Sequence, residues 1–221
     1  IATITQRYEN PIGSLAQAEC PAFVLRQAYN PDHCRGLVRR FIDMGLMRDR
    51  AEPRSADDGR PRIDIGTSLG NRGSDKARFL QHAQTTHFLF DFLFKGYDDP
   101  VQCLYQALTS LCPGKEVKTA YEPDGLRYGP AIFRIHYEGQ RYKPHIDHVV
   151  LREARTDYSV YRFEYQFAGV LCLQNADASG PGAQGMLHQC IWTPEIQPYI
   201  EEDTFTEYAD QRGLGRCQVS L

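Results

Sequence analysis

His145 and Asp147 stand two residues apart in Tyr142-Lys143-Pro144-His145-Ile146-Asp147. In extended backbone the side chains of residues i and i+2 share a face, so this imidazole and this carboxylate can turn toward one point. Together they supply two of the three donors of a 2-His-1-carboxylate site, which holds Fe(II) and leaves positions open for other ligands. A lone His-x-Asp is equally at home in a solvated loop, so its surroundings must decide. After Asp147 the chain offers only His148 and His188 as further histidines. His148 follows Asp147 directly and points to the opposite face of an extended segment. His188 is read here as a strand residue, with a role as third ligand left open.

The elements that must position the pair come in two blocks. Residues 1–30 hold short extended pieces, notably Ala22-Phe23-Val24-Leu25. Asn30-Pro31-Asp32 is a helix start, a capping side chain followed by proline, and Leu37, Val38, Phe41, Ile42 and Leu46 form an apolar stripe up to Met47. Residues 48–75 are rich in Arg, Asp, Gly and Ser and read as a long surface loop or lid. Helices are predicted from Asp75 to Phe94, including an apolar run from Phe88 read as core, and from Asp98-Asp99-Pro100 to Cys112-Pro113-Gly114. Strand candidates then follow: Val117–Tyr121, Tyr128–Tyr137, Tyr161–Leu173, Met186–Trp192 and Arg216–Leu221. Helices first and strands afterwards predict an α+β fold, with the helices packed on one side of an antiparallel sheet.

Composition narrows the class. A chain of 221 residues with 42% hydrophobic and 24% charged residues has the make-up of one globular domain. The net charge of -3 comes without a basic block, so no nucleic-acid partner is expected. No apolar run approaches the roughly 20 residues that cross a bilayer, so no membrane partner is expected either. Seven cysteines without paired spacing predict free thiols in a reducing, cytoplasmic compartment. No nucleophile elbow, phosphate-binding glycine loop or zinc-type spacing is present.

The pattern Tyr137-x-Gly139-Gln140-x-Tyr142-x-Pro144-His145-x-Asp147 resembles the entry to the metal site of Fe(II)/2-oxoglutarate-dependent oxygenases of the prolyl-hydroxylase type. Tyr165 through Gln174, Gly180-Pro181-Gly182, and Gly185-Met186-Leu187 through Trp192-Thr193-Pro194 extend the likeness, which is similar to that of bacterial amino-acid hydroxylases and carrier-free halogenases. It runs from about Tyr121 to the end. The resemblance implies a double-stranded β-helix, or jelly roll, in one domain spanning residues 1–221. Residues 1–115 would be its mainly helical part, and residues 116–221 a β-roll core that stops short of the barrel's C-terminal end.

The resemblance also implies the chemistry. His145 and Asp147 become the catalytic metal ligands, Tyr137 and Tyr142 hydrogen-bond the cosubstrate, and Fe(II), 2-oxoglutarate and O2 are required. An arginine should pair with the distal carboxylate of 2-oxoglutarate, a task its planar fork suits. The first candidates after Pro194 are Arg212 and Arg216. Halogenating relatives carry a small residue where Asp147 stands, so a carboxylate there favours hydroxylation, desaturation or oxidative cyclisation. The substrate implied is a small molecule, an amino acid or its derivative, with oligomeric state unspecified. Two alternatives remain at this point: a non-catalytic jelly-roll binding protein, and a peptidyl hydroxylase clamping its substrate with residues 48–75.

Overall fold

The computed structural model describes residues 1–49, 62–137, 142–150, 154–175 and 184–220. Helices α1 (Ala2–Arg7), α2 (Pro11–Ala16) and α3 (Pro31–Asp43) are followed by strand β1 (Arg62–Gly66) and the short helix α4 (Leu69–Arg72). Helices α5 (Lys76–Leu93) and α6 (Pro100–Leu111) lead to strand β2 (Ile132–His136). Strand β3 (Gln184–His188), helices α7 (Gln197–Glu201) and α8 (Phe205–Gln211), and strand β4 (Arg216–Ser220) complete the order.

Local chemistry sets the helix starts. The Asn30 side chain accepts from Asp32 N at 2.8 Å with Pro31 at the first helical position. Asp75 accepts from Arg78 N at 3.0 Å, and Asp99 accepts from both Val101 N and Gln102 N at 2.7 and 3.2 Å. Each carboxylate or amide satisfies donors that the first turn cannot pair internally. The same device begins α2, where Asn10 accepts from Gly13 N at 3.0 Å ahead of Pro11. Residues 2–7 and 11–16 are thus helical where short extended pieces were expected, while residues 22–25 lie in neither helix nor strand.

Two antiparallel pairs form, β1 with β2 and β3 with β4. β1 lies inside the span read as a loop. Arg62-Ile63-Asp64-Ile65-Gly66 alternates polar and apolar, a strand pattern masked by the polar composition around it. Residues 50–61 of that span lie outside the described residues. Ile63, Ile65, Phe133 and Ile135 share one face of the β1–β2 ribbon and pack on Leu37, Phe41, Phe90 and Leu93 from α3 and α5. Gly66 ends β1 at φ +111, where a Cβ would lie 2.8 Å from Ala131 O, so only glycine fits. Arg40 fastens α3 to α5 by donating to the carbonyls of Leu93 and Lys95, the latter at 2.8 Å.

Within the predicted core run, Phe90 and Phe94 are buried but Phe88 and Phe92 point outward. A second core joins Phe79 and Leu80 of α5 to Tyr128 and Tyr158. At its centre Glu122, only 4% exposed, is held by Lys76 Nζ at 3.0 Å, Ser159 N at 3.0 Å, Ser159 Oγ at 2.8 Å and the Tyr128 hydroxyl. Residues 163–173, expected as a strand, form an irregular segment. Leu171 and Leu173 pack on the first core while Phe163, Tyr165 and Val170 are exposed. A third, smaller core of Ile196, Phe205 and Ala209 sits with α7 and α8.

Candidate metal centre

Burial alternates along the segment after Tyr142: His145 and Asp147 are exposed, whereas Ile146 and His148 are half-buried. The i, i+2 spacing thus puts both candidate ligands on one side and His148 on the other. His145 Nε2 and Asp147 Oδ2 face each other at 4.0 Å. That is too far for a hydrogen bond. With metal–N and metal–O bonds of roughly 2 Å each, one ion could bond both atoms only from near the line between them, so adjacent positions on a single ion require the pair to close by about 1 Å.

The other ring nitrogen defines the tautomer. His145 Nδ1 lies 2.8 Å from Lys143 O. A carbonyl only accepts, so Nδ1 carries a proton, and in the neutral ring the Nε2 lone pair is turned toward Asp147. Two acceptors then confront one another, an arrangement that calls for a cation between them, either a second proton or a metal ion. An imidazole that donates one N–H to a carbonyl and offers its other nitrogen is the usual condition of a metal-ligating histidine. The donor types and the orientation of the ring therefore suit two positions of an iron site.

Tyr142 adjoins this pair. Its ring packs on His145 with centroids 5.4 Å apart and on His136 at 4.9 Å. Its hydroxyl accepts from Arg62 Nη1 at 3.0 Å. Tyr137 belongs elsewhere in the contact network: its hydroxyl accepts from Arg48 N at 3.1 Å, and the Arg48 guanidinium lies 4.6 Å over its ring. Strand alternation explains the division. Tyr137 follows Phe133 and Ile135 on the helix-facing side, while Arg134 and His136 lie on the side Tyr142 approaches. On the far flank, a Cβ on Gly70 would lie 4.0 Å from Asp147 Oδ1, so the α4 turn comes close to the carboxylate.

His188 sits with the third core, its ring edge-on to Phe205 at 5.1 Å and its Nδ1 buried without a hydrogen-bond partner. Among the described residues no group of three or more His, Cys, Asp or Glu side chains converges, so His188 does not join the His145–Asp147 pair there. Arg216 pairs with Asp210 at 3.2 Å, and the Arg212 guanidinium lies 5.3 Å over the Tyr208 ring. A cleft of about 490 Å³ beside Lys76, Glu122 and Ser159 is separate from the pair. The residue that sequence reasoning missed is Arg62; the Arg-Ile-Asp-Ile alternation was the signal that could have placed it on a strand.

All seven cysteines are free thiols. No helix among the described residues is long and apolar enough to cross a membrane. A family model described as carrier-protein-independent halogenase WelO5 matches residues 1–217. No curated protein and no solved structure matches the chain.

Proposed function

The chain belongs to the carrier-protein-independent halogenase WelO5 family, and from that membership we propose an Fe(II)/2-oxoglutarate-dependent oxygenase that hydroxylates a C–H bond of a freely diffusing small molecule. Family membership supports the cofactor set of Fe(II), 2-oxoglutarate and O2 and the double-stranded β-helix architecture. The observation that carries the reading is the 4.0 Å approach of His145 Nε2 to Asp147 Oδ2, with the ring proton held at Lys143 O.

His145 and Asp147 would hold the iron, which when bound with its cosubstrate supplies the oxidising chemistry. The chain's own contribution is to keep the imidazole aimed, with Nδ1 on Lys143 O, and to keep the carboxylate beside it. Asp147 also favours hydroxylation over halogen transfer. Halogenating relatives leave room for chloride with a small residue at this position, and here a carboxylate fills it. Tyr142 lies next to the pair and would border the cosubstrate with its ring while its hydroxyl is held by Arg62, whereas Tyr137 packs with Arg48 and would contribute from behind the strand. Arg134, exposed on the Tyr142 side of β2, is a cation suited to a carboxylate-bearing substrate such as an amino acid or its derivative.

Succinate release from 2-oxoglutarate, with and without Fe(II), tests the assignment. Iron-dependent release that disappears in His145→Ala is the expected result. No release from either across a panel of amino-acid substrates leaves a binding protein instead, and equal release by wild type and variant removes His145 as an iron ligand.

A further inference from the structure

The β1–β2 ribbon has two faces of opposite character. Its apolar side covers the helical core, whereas Arg62, Asp64, Arg134 and His136 share the other side in register, Arg62 opposite His136 and Asp64 opposite Arg134. Arg62 is fixed there by Asp64, with Nη2 at 2.8 Å from Oδ2. Its Nη1 donates to the Tyr142 hydroxyl at 3.0 Å, and its guanidinium lies 5.6 Å over the same ring.

His145 lies on no helix or strand and is 42% exposed at its side chain. Among the described residues its polar and ring contacts are Lys143 O, Asp147 and Tyr142. The first two belong to its own segment. Tyr142 alone among them is tied across to a paired strand. The bond to Lys143 sets which nitrogen carries the proton, but it cannot fix where the ring stands relative to the rest of the fold.

We propose that Arg62 and Tyr142 are positioning residues for His145, a relay running Asp64–Arg62–Tyr142–His145 that holds the imidazole where it meets Asp147. The inference rests on reading His145 as an iron ligand. A further contact supports it: the Tyr142 hydroxyl lies 3.3 Å from His136 Nε2, so having accepted from Arg62 it can donate onward and is held from two sides. Desolvation and the charge of Arg62 both lower the His136 pKa, which keeps that nitrogen available as an acceptor.

Co(II), a visible-spectrum substitute for Fe(II), provides the test on the full chain. Titration of wild type, His145→Ala, Arg62→Met, Arg62→Lys and Tyr142→Phe gives affinity and the cobalt absorption bands together. Tyr142→Phe keeps the ring and removes only the hydroxyl, so it serves as the decisive variant should Arg62→Met lose its fold by circular dichroism. Wild type is expected to bind and His145→Ala to lose binding. Arg62→Met and Tyr142→Phe should each weaken Co(II) by about tenfold or more and shift the bands. The double variant should cost no more than either single one, because both remove the same contact. Arg62→Lys should recover part of the loss. If His145→Ala loses binding while Arg62→Met and Tyr142→Phe keep wild-type affinity and spectrum, the relay falls and the ligand assignment stands. If wild type fails to bind, or His145→Ala binds equally, the ligand assignment falls and the relay with it.

Discussion

Glu122 and Ser159, 37 residues apart, are joined twice, through the serine backbone N–H at 3.0 Å and its hydroxyl at 2.8 Å. Burial alone would push the Glu122 pKa up, but the Tyr128 hydroxyl, both Ser159 donors and Lys76 outweigh it and hold the carboxylate at about 2, against an ordinary 4.5. The folded state thus prefers the ionised form. Its contribution is complete above pH 4.5 and fades as the pH falls toward about 2. The shift corresponds to about 3 kcal/mol. Urea denaturation followed by circular dichroism should show that loss, and Glu122→Gln should be less stable at neutral pH with a flatter acid limb. An unchanged acid limb in the variant would remove Glu122 from the account.

Asp147→Ala bears on reaction type. Taking away the carboxylate should lower metal affinity by at least the roughly 10–100-fold that loss of an outer partner costs. With chloride and excess iron, mass spectrometry should find chlorinated product replacing hydroxylated product. Unaltered hydroxylation would show that Asp147 is not in the iron's shell.

His188→Leu separates two roles. The buried, unpartnered Nδ1 is a cost to folding, and an aliphatic side chain against Phe205 should raise stability by about 1 kcal/mol. Co(II) affinity should stay within about twofold of wild type, far from the loss expected for an outer partner. A loss as deep as that of His145→Ala would instead make His188 the third ligand.

Gly66→Ala should cost about 1–3 kcal/mol, because a left-handed backbone and the Ala131 carbonyl both resist a methyl group. Thermal denaturation measures it. Since Gly66 is four residues along the same strand from Arg62, this variant should also weaken Co(II) binding if β1 carries the relay. Wild-type cobalt affinity in a destabilised Gly66→Ala would separate strand stability from ring placement.

Local signals were legible, and distant ones were not. Asn30-Pro31 and Asp99-Pro100 announced their helices because a cap and its donors lie within three residues. His145 and Asp147 could be paired on paper for the same reason: i, i+2 geometry needs no knowledge of the fold. The run Phe88–Phe94, apolar except for Asp91, hid its own period, so the outward Phe88 and Phe92 could not be told from the buried Phe90. Arg62 and Tyr142 are 80 residues apart, and only the β1–β2 register brings them together. Arg48 against Tyr137 is equally non-local, which is why two tyrosines that looked equivalent have different neighbours.

Lys143, whose carbonyl receives the His145 proton, immediately precedes Pro144. The proline ring bars its predecessor from helical backbone and restricts where that carbonyl can swing. The imidazole's proton is therefore anchored to a stiffened stretch of main chain that travels with the ring. Which nitrogen faces the carboxylate is thus written into the consecutive residues from Lys143 to Asp147 and needs no help from the strands around them.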